Sequence, residues 1–144
     1  MAGPVADGSA PAERFLLPDG TVTGWGEAAN NGPYIATFFS NTVAIAGGDY
    51  YLLGLLQDGT LLEAGSRGMP PGLSNAVAIS VGWYHSLALF ADGTVASWRS
   101  DTYVPAGLND AVSIAAGGMH SLALRSNGTV VAWGYGAYGQ TNVP

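Results

Sequence analysis

Short runs in which apolar and polar residues alternate fill the chain, and turn residues separate them at even spacing. In the block from Ala76 to Asp110, Val77-Ala-Ile-Ser-Val81 sets branched side chains at alternate positions, Gly82-Trp83-Tyr84 interrupts the run, and His85-Ser-Leu-Ala-Leu-Phe90 resumes it. A period of two sends successive side chains to opposite faces of an extended backbone, so both runs read as strands. Asp92-Gly93 then supplies the two residues of positive φ that a tight hairpin requires, and Thr94-Val-Ala-Ser-Trp98 alternates again as a third strand. In the last block Gly134-Tyr-Gly-Ala-Tyr-Gly139 loops out, and Gln140-Thr-Asn-Val-Pro144 supplies a short outer strand whose proline suits a sheet edge. No segment shows the 3.6-residue period of an amphipathic helix.

The same block recurs four times. Asp19-Gly20-Thr21, Asp58-Gly59-Thr60, Asp92-Gly93-Thr94 and Asn127-Gly128-Thr129 follow one another at intervals of 39, 34 and 35 residues. Counted from that Asp or Asn, position −13 is Ile45, Ile79 and Ile114, position −3 is Leu16, Leu55, Leu89 and Leu124, and position +6 is Trp25, Ala64, Trp98 and Trp133. The repeats run approximately over 1–41, 42–75, 76–110 and 111–144, and together form a single domain. The second is looser, with Tyr51 for the His, Gly54 for the Ala and Ala64 for the Trp. The first is degenerate: Pro4 to Arg14 keeps neither the Ile nor the paired Gly, and the connector Glu27 to Thr42, with Phe38-Phe39, is the longest and reads as an insertion. Four short strands per unit and no helix predict an all-β fold, a β-propeller of four-stranded antiparallel blades, because a blade hides both faces against its neighbours.

Composition narrows the function classes. Ten acids stand against four arginines and no lysine, for a net charge of −6, which argues against a phosphate-binding surface and hence against nucleic acid. Charged residues make up 10% of the chain, well below the ~25% that is usual, so much of the outer surface is neutral. Two settings produce such a surface: an extracellular one, or one in which other subunits cover it. No cysteine is present, which excludes a disulfide scaffold and a thiolate metal site without deciding the compartment. Met1 to Ala12 has no basic stretch followed by an apolar one, so no signal peptide is visible, though an extracellular or cell-surface location stays open if one was removed. No apolar run approaches the ~20 residues of a helical membrane span, so no membrane insertion is expected.

Several residues invite a chemical reading that the repeat register explains more simply. His85 and His120 are the only histidines, but Tyr51 and Ala12 hold the same position in the other repeats, so the site is structural. One histidine per blade also falls short of the three or four ligands of a zinc site. Gly134 to Gly139 spells the dinucleotide fingerprint, yet no helix follows to hold a pyrophosphate. Asp19, Asp58 and Asp92 serve hairpin turns, and the sequon Asn127-Gly-Thr129 is a turn as well. No catalytic residue, cofactor or metal is therefore expected.

Val112-Ser-Ile-Ala-Ala-Gly-Gly-Met-His-Ser-Leu-Ala-Leu-Arg-Ser-Asn-Gly-Thr-Val-Val-Ala-Trp-Gly134, followed by Tyr138-Gly-Gln-Thr-Asn-Val-Pro144, resembles a repeat of the regulator of chromosome condensation family in its short bacterial form. The resemblance covers Thr42 to the C-terminus well and Phe15 to Gly26 in part. It implies a β-propeller, usually of seven blades, that works by binding other proteins; members include nucleotide-exchange factors for small GTPases and a secreted bacterial β-propeller inhibitor of β-lactamases. This chain has four copies in place of seven. Blades angled for a seven-fold ring leave four as an open arc with two exposed ends. Two arcs closing into a ring of about eight blades, or arcs adding end to end as a filament, would cover those ends, and a truncated or engineered fragment would leave them bare.

The loop before the His position carries Asp49-Tyr50, Trp83-Tyr84 and Gly118-Met119. Turn chemistry asks for neither Trp nor Tyr there, and these are types enriched at protein-binding hot spots. In the β-lactamase inhibitor, aromatic residues in this loop register make the interface, so the resemblance implies a binding role for Tyr50, Trp83 and Tyr84. The other reading is that they pack on the neighbouring blade. The sequence thus points to a non-enzymatic protein-binding module, with Asp49, Tyr50, Trp83, Tyr84 and Met119 as its candidate contacts. It would associate with itself, as a homodimer or higher assembly, and with a protein partner that the sequence does not identify. The alternative is a structural subunit of a filament or shell. Nothing beyond the fold points to a GTPase.

Overall fold

A computed structural model describes residues 13–25, 27–28, 32–33, 40–47, 51–65, 68–99 and 103–144. Thirteen strands and no helix lie in these residues: β1 (Glu13–Leu16), β2 (Val22–Trp25), β3 (Glu27–Ala28), β4 (Gly32–Pro33), β5 (Thr42–Gly47), β6 (Tyr51–Leu56), β7 (Leu61–Gly65), β8 (Ala76–Val81), β9 (Ser86–Phe90), β10 (Val95–Trp98), β11 (Ala111–Ala116), β12 (His120–Arg125) and β13 (Val130–Gly134). They form blades as the repeats require. The sheets β5-β6-β7, β8-β9-β10 and β11-β12-β13 are antiparallel with the middle strand central, and the hairpin β1-β2 supplies the corresponding strands of the first blade. The short ladder β3-β4 lies in the long connector, whose Phe38-Phe39 falls outside the described residues.

Two local expectations are corrected. Among the described residues each full blade is three-stranded. The segment 140–144 runs through turns, with Gly139 N–H on Gly136 O at 2.9 Å and Asn142 N–H on Gly139 O at 3.0 Å, and pairs with no strand. Glycines and a terminal proline that cannot donate favour turns over a ladder there. The hairpin also differs in type. Gly93 alone has positive φ, at 82°, while Gly93 N–H bonds Phe90 O at 3.0 Å and Phe90 N–H bonds Thr94 O at 3.0 Å. That is a three-residue loop with a left-handed glycine at its end, and Asp92 sits before it as an acceptor. Its Oδ1 takes the Thr94 N–H at 3.0 Å and the Thr94 hydroxyl at 2.6 Å. Asn127 does the same for Thr129 at 2.9 and 2.7 Å. These bonds favour the ionised acid and hold the carboxyls of Asp19, Asp58 and Asp92 below the usual range.

The first three turns also clasp the next blade. Gly20, Gly59 and Gly93 accept from Thr42, Ala76 and Ala111 N–H, each at 3.0 Å, so that a Cβ on Gly59 would come within 2.9 Å of Asn75 backbone. Between blades the core is apolar. Leu53 and Leu55 of the second blade pack on Ala76, Ala88 and Trp98 of the third, and Leu87 and Leu89 of the third pack on Ala111, Ala123 and Trp133 of the fourth. Val22 and Leu52 join the first two blades in the same way. The recurring Leu and Ala positions found in the sequence are therefore opposite halves of one interface, with leucines on the leading face and alanines beside a tryptophan on the trailing face. That asymmetry lets blades stack without voids.

A polar seam runs through the same interfaces. Tyr51 hydroxyl meets Ser86 Oγ at 2.8 Å, His85 Nε2 meets Ser121 Oγ at 2.8 Å, and Ser80 Oγ accepts from Ala116 N–H at 2.9 Å. Arg99 lies at the position that Gly65 and Gly134 hold in the neighbouring repeats, and it keeps the glycine-like backbone, with φ of 91° against 98° at Gly134. Its guanidinium pairs with buried Glu63 and lies 4.0 Å from the centroid of the Tyr51 ring. An ion pair and a cation–π contact thus tie the second blade to the third and offset an unfavourable φ.

Candidate protein-binding loop face

The loops between the first and second strands of a blade are tight because glycine opens them. Gly82 N–H bonds His85 O at 2.9 Å, and Gly117 N–H bonds His120 O at 2.8 Å. A Cβ on Gly82 would lie 2.1 Å from Gly117 O and 2.7 Å from His85 Cε1, and one on Gly117 would lie 2.3 Å from His120 Cε1. Only a residue without a side chain lets each imidazole fold back under its loop.

Folding the histidine inward turns the two residues before it outward. Trp83 is 61% exposed, and Tyr84 and Met119 are exposed as well. Trp83 N–H bonds Gly118 O at 3.2 Å, and its ring lies so near Gly118 that a Cβ there would come within 3.1 Å of it. The indole therefore spans both readings of the sequence: one part leans on the next blade, and the remainder is open to solvent. Met119 O accepts from Tyr135 N–H at 2.9 Å, and Tyr135 meets Tyr138 edge to face at 6.4 Å and 66°. Trp83, Met119 and Tyr135 are thus linked in sequence across the third and fourth blades, with Tyr138 beyond them. Asp49 and Tyr50, the corresponding candidates of the second blade, lie outside the described residues.

Tyr135 and Tyr138, both exposed, were not among the candidate contacts read from the sequence, which took their segment as a loop and set aside its nucleotide fingerprint. The available signal was register: Tyr103 and Tyr138 both stand eleven positions after the turn Asp or Asn, and both are exposed. His85, by contrast, is fully buried, and burial pushes its pKa down, with His120 adding to the effect. It is a neutral hydrogen-bonding partner within an interface. Among the described residues no three His, Cys, Asp or Glu side chains group as metal ligands, and no helix is long and apolar enough to cross a membrane.

Residues 76–98 and 111–140 match the model of the regulator of chromosome condensation (RCC1) repeat. The third and fourth repeats are thus similar to RCC1 repeats. Solved structures place the fold among the β-propellers. The CRINKLY WD40 ectodomain of the Arabidopsis thaliana receptor kinase ACR4 is similar at 22% identity and a TM-score of 0.72, over 88% of this chain and 48% of that one. Prp20p from Saccharomyces cerevisiae, described together with its binding to Gsp1p and histones, is similar at 22% identity and a TM-score of 0.70, over 93% and 44%. Human WBSCR16 is similar at 17% identity and a TM-score of 0.73, over 91% and 47%. The chain therefore spans less than half the length of each. No curated protein matches it.

Proposed function

We propose that this chain is a non-enzymatic protein-binding β-propeller module, which self-assembles and presents its aromatic loop face to a protein partner. The observation that carries the reading is the outward placement of Trp83, Tyr84 and Met119 on loops whose turn geometry needs only the glycines. Large, rigid, partly anchored aromatic side chains lose little conformational freedom when covered, which is why they serve as interface anchors. Binding of protein partners by Prp20p, and Kap60 bound to yeast RCC1, support the same use of the fold here.

Capture from an extract of the source cells, comparing the parent with a W83A/Y84A variant, tests the reading. Both residues are exposed, so the variant should fold like the parent, and the partner's signal is expected to fall by at least about tenfold. Equal recovery by both proteins would overturn the aromatic-face assignment. A second reading, a structural subunit of a filament or shell, is favoured by the low charge content and by the apolar positions left exposed on the fourth blade.

A further inference from the structure

The leading face of the fourth blade is built like the faces that the second and third blades bury, and it is uncovered. Leu124 is 38% exposed where its counterpart Leu89 is 3% exposed. Val130 is exposed where Leu61 is buried, and Leu122 is half-buried where Leu53 and Leu87 are completely buried. The turn tells the same story. A Cβ on Gly59 or Gly93 would strike the connector into the next blade, at Asn75 or Asn109, at 2.9 or 2.6 Å, while one on Gly128 would meet nothing within 4 Å. His120, in the position from which Tyr51 and His85 reach the following blade, is only half-buried.

The two interfaces described at that position pair it with one register site on the following blade, the residue opposite position +6 across the hairpin. Ser86 pairs with Trp98 and Ser121 with Trp133 in the strand register, and these two serines receive Tyr51 and His85. The same site in the second blade is Leu52, opposite Ala64, and the sequence has apolar Ala12 at the matching position before it. In the first blade the site is Glu13, opposite Trp25. The chemistry is matched at the two described junctions: hydroxyl with hydroxyl and imidazole with hydroxyl. Glu13 and His120 hold the two register positions that none of these pairings uses, and a carboxylate is a strong acceptor for an imidazole N–H.

We propose that the leading face of the fourth blade docks a second copy of this chain, whose first repeat continues the blade series head to tail and sets Glu13 against His120. Two copies joined at both ends make a closed ring with a two-fold axis, and copies that do not close add as a ladder through the same contact. The proposal rests on the self-assembly part of the reading above and specifies its surface.

Light scattering of the whole chain over a concentration series tests it, with L124E, H120A, E13Q and W83A alongside. The parent is expected at twice its 14.6 kDa mass or a higher multiple. L124E, altered at an exposed position, should melt like the dilute parent yet stay monomeric, and W83A should associate like the parent. H120A and E13Q should each weaken association about tenfold, and the double variant should weaken it no further than either alone. A parent that is monomeric at every concentration overturns this proposal together with self-assembly, and leaves the face to a further repeat or another protein. Association that survives L124E overturns this surface while self-assembly stands. Additive effects of H120A and E13Q overturn the register.

Discussion

Arg99 shows how one residue can leave the repeat pattern and be kept by its neighbours. A long side chain at φ of 91° is unfavourable, yet the guanidinium answers the carboxylate of Glu63, whose side chain is only 7% exposed. Removing one partner of a buried pair leaves an uncompensated charge, so R99G should destabilise by about 3 kcal/mol in spite of relaxing the backbone. The double change E63A/R99G recreates the Ala132 and Gly134 of the fourth blade and should recover most of that loss; urea denaturation of the three proteins checks both statements. His85 makes a prediction in pH. Its folded pKa lies below the ordinary 6.5 because burial disfavours the cation. Above that value both states are neutral and the group contributes no pH dependence. As the pH falls below 6.5 the unfolded chain takes the proton first, so stability is lost until the folded pKa is passed. H85Y, which copies the Tyr51–Ser86 pair, should keep the junction and lose this portion of the pH profile, as melting temperatures between pH 7 and pH 5 would reveal.

At the scale of the element, a strand is stabilised by what covers its two faces. The strands β6, β9 and β12 have the same pattern of Leu and small residues, but only the first two are covered on both sides. Deleting the same side chain should therefore have different consequences. L89A opens a cavity between two blades and should cost about 2–5 kcal/mol, whereas L124A trims a partly solvated residue and should cost less than about 1 kcal/mol in the dilute chain. Equal losses in denaturant titrations would show that something already covers the fourth blade. Loops follow a related logic: Gly82 and Gly117 admit the histidines, and the same inward fold exposes Trp83 and Met119.

In the whole molecule, the described blades pack on their neighbours in sequence, and the stack has exposed Leu124 and Val130 at one end and Glu13 in the register of the polar seam at the other. A quasi-one-dimensional stack of this kind gains stability with each interface added, and an uncovered terminal blade is its weakest part. The low charge content agrees with such a body, since few of its surfaces repel a further copy.

Much of the architecture was legible in the chain because turn chemistry and alternation are local. Asp-Gly-Thr and Asn-Gly-Thr fall on the hairpins, the periodic runs are strands, and the interval between turns marks the blades. Positions +6 and −3 were readable as recurring sites for the same reason. What the sequence could not decide were the relations between repeats. The hairpin's single left-handed glycine, the loss of the outer strand to turns, the pairing of His85 with Ser121, and Arg99 over Tyr51 all depend on atoms about one repeat apart or on competition between local backbone choices. So does the exposure of the fourth blade's Leu122 and Leu124: their spacing matches that of buried residues, and only the packed arc shows that no blade lies beyond them among the described residues.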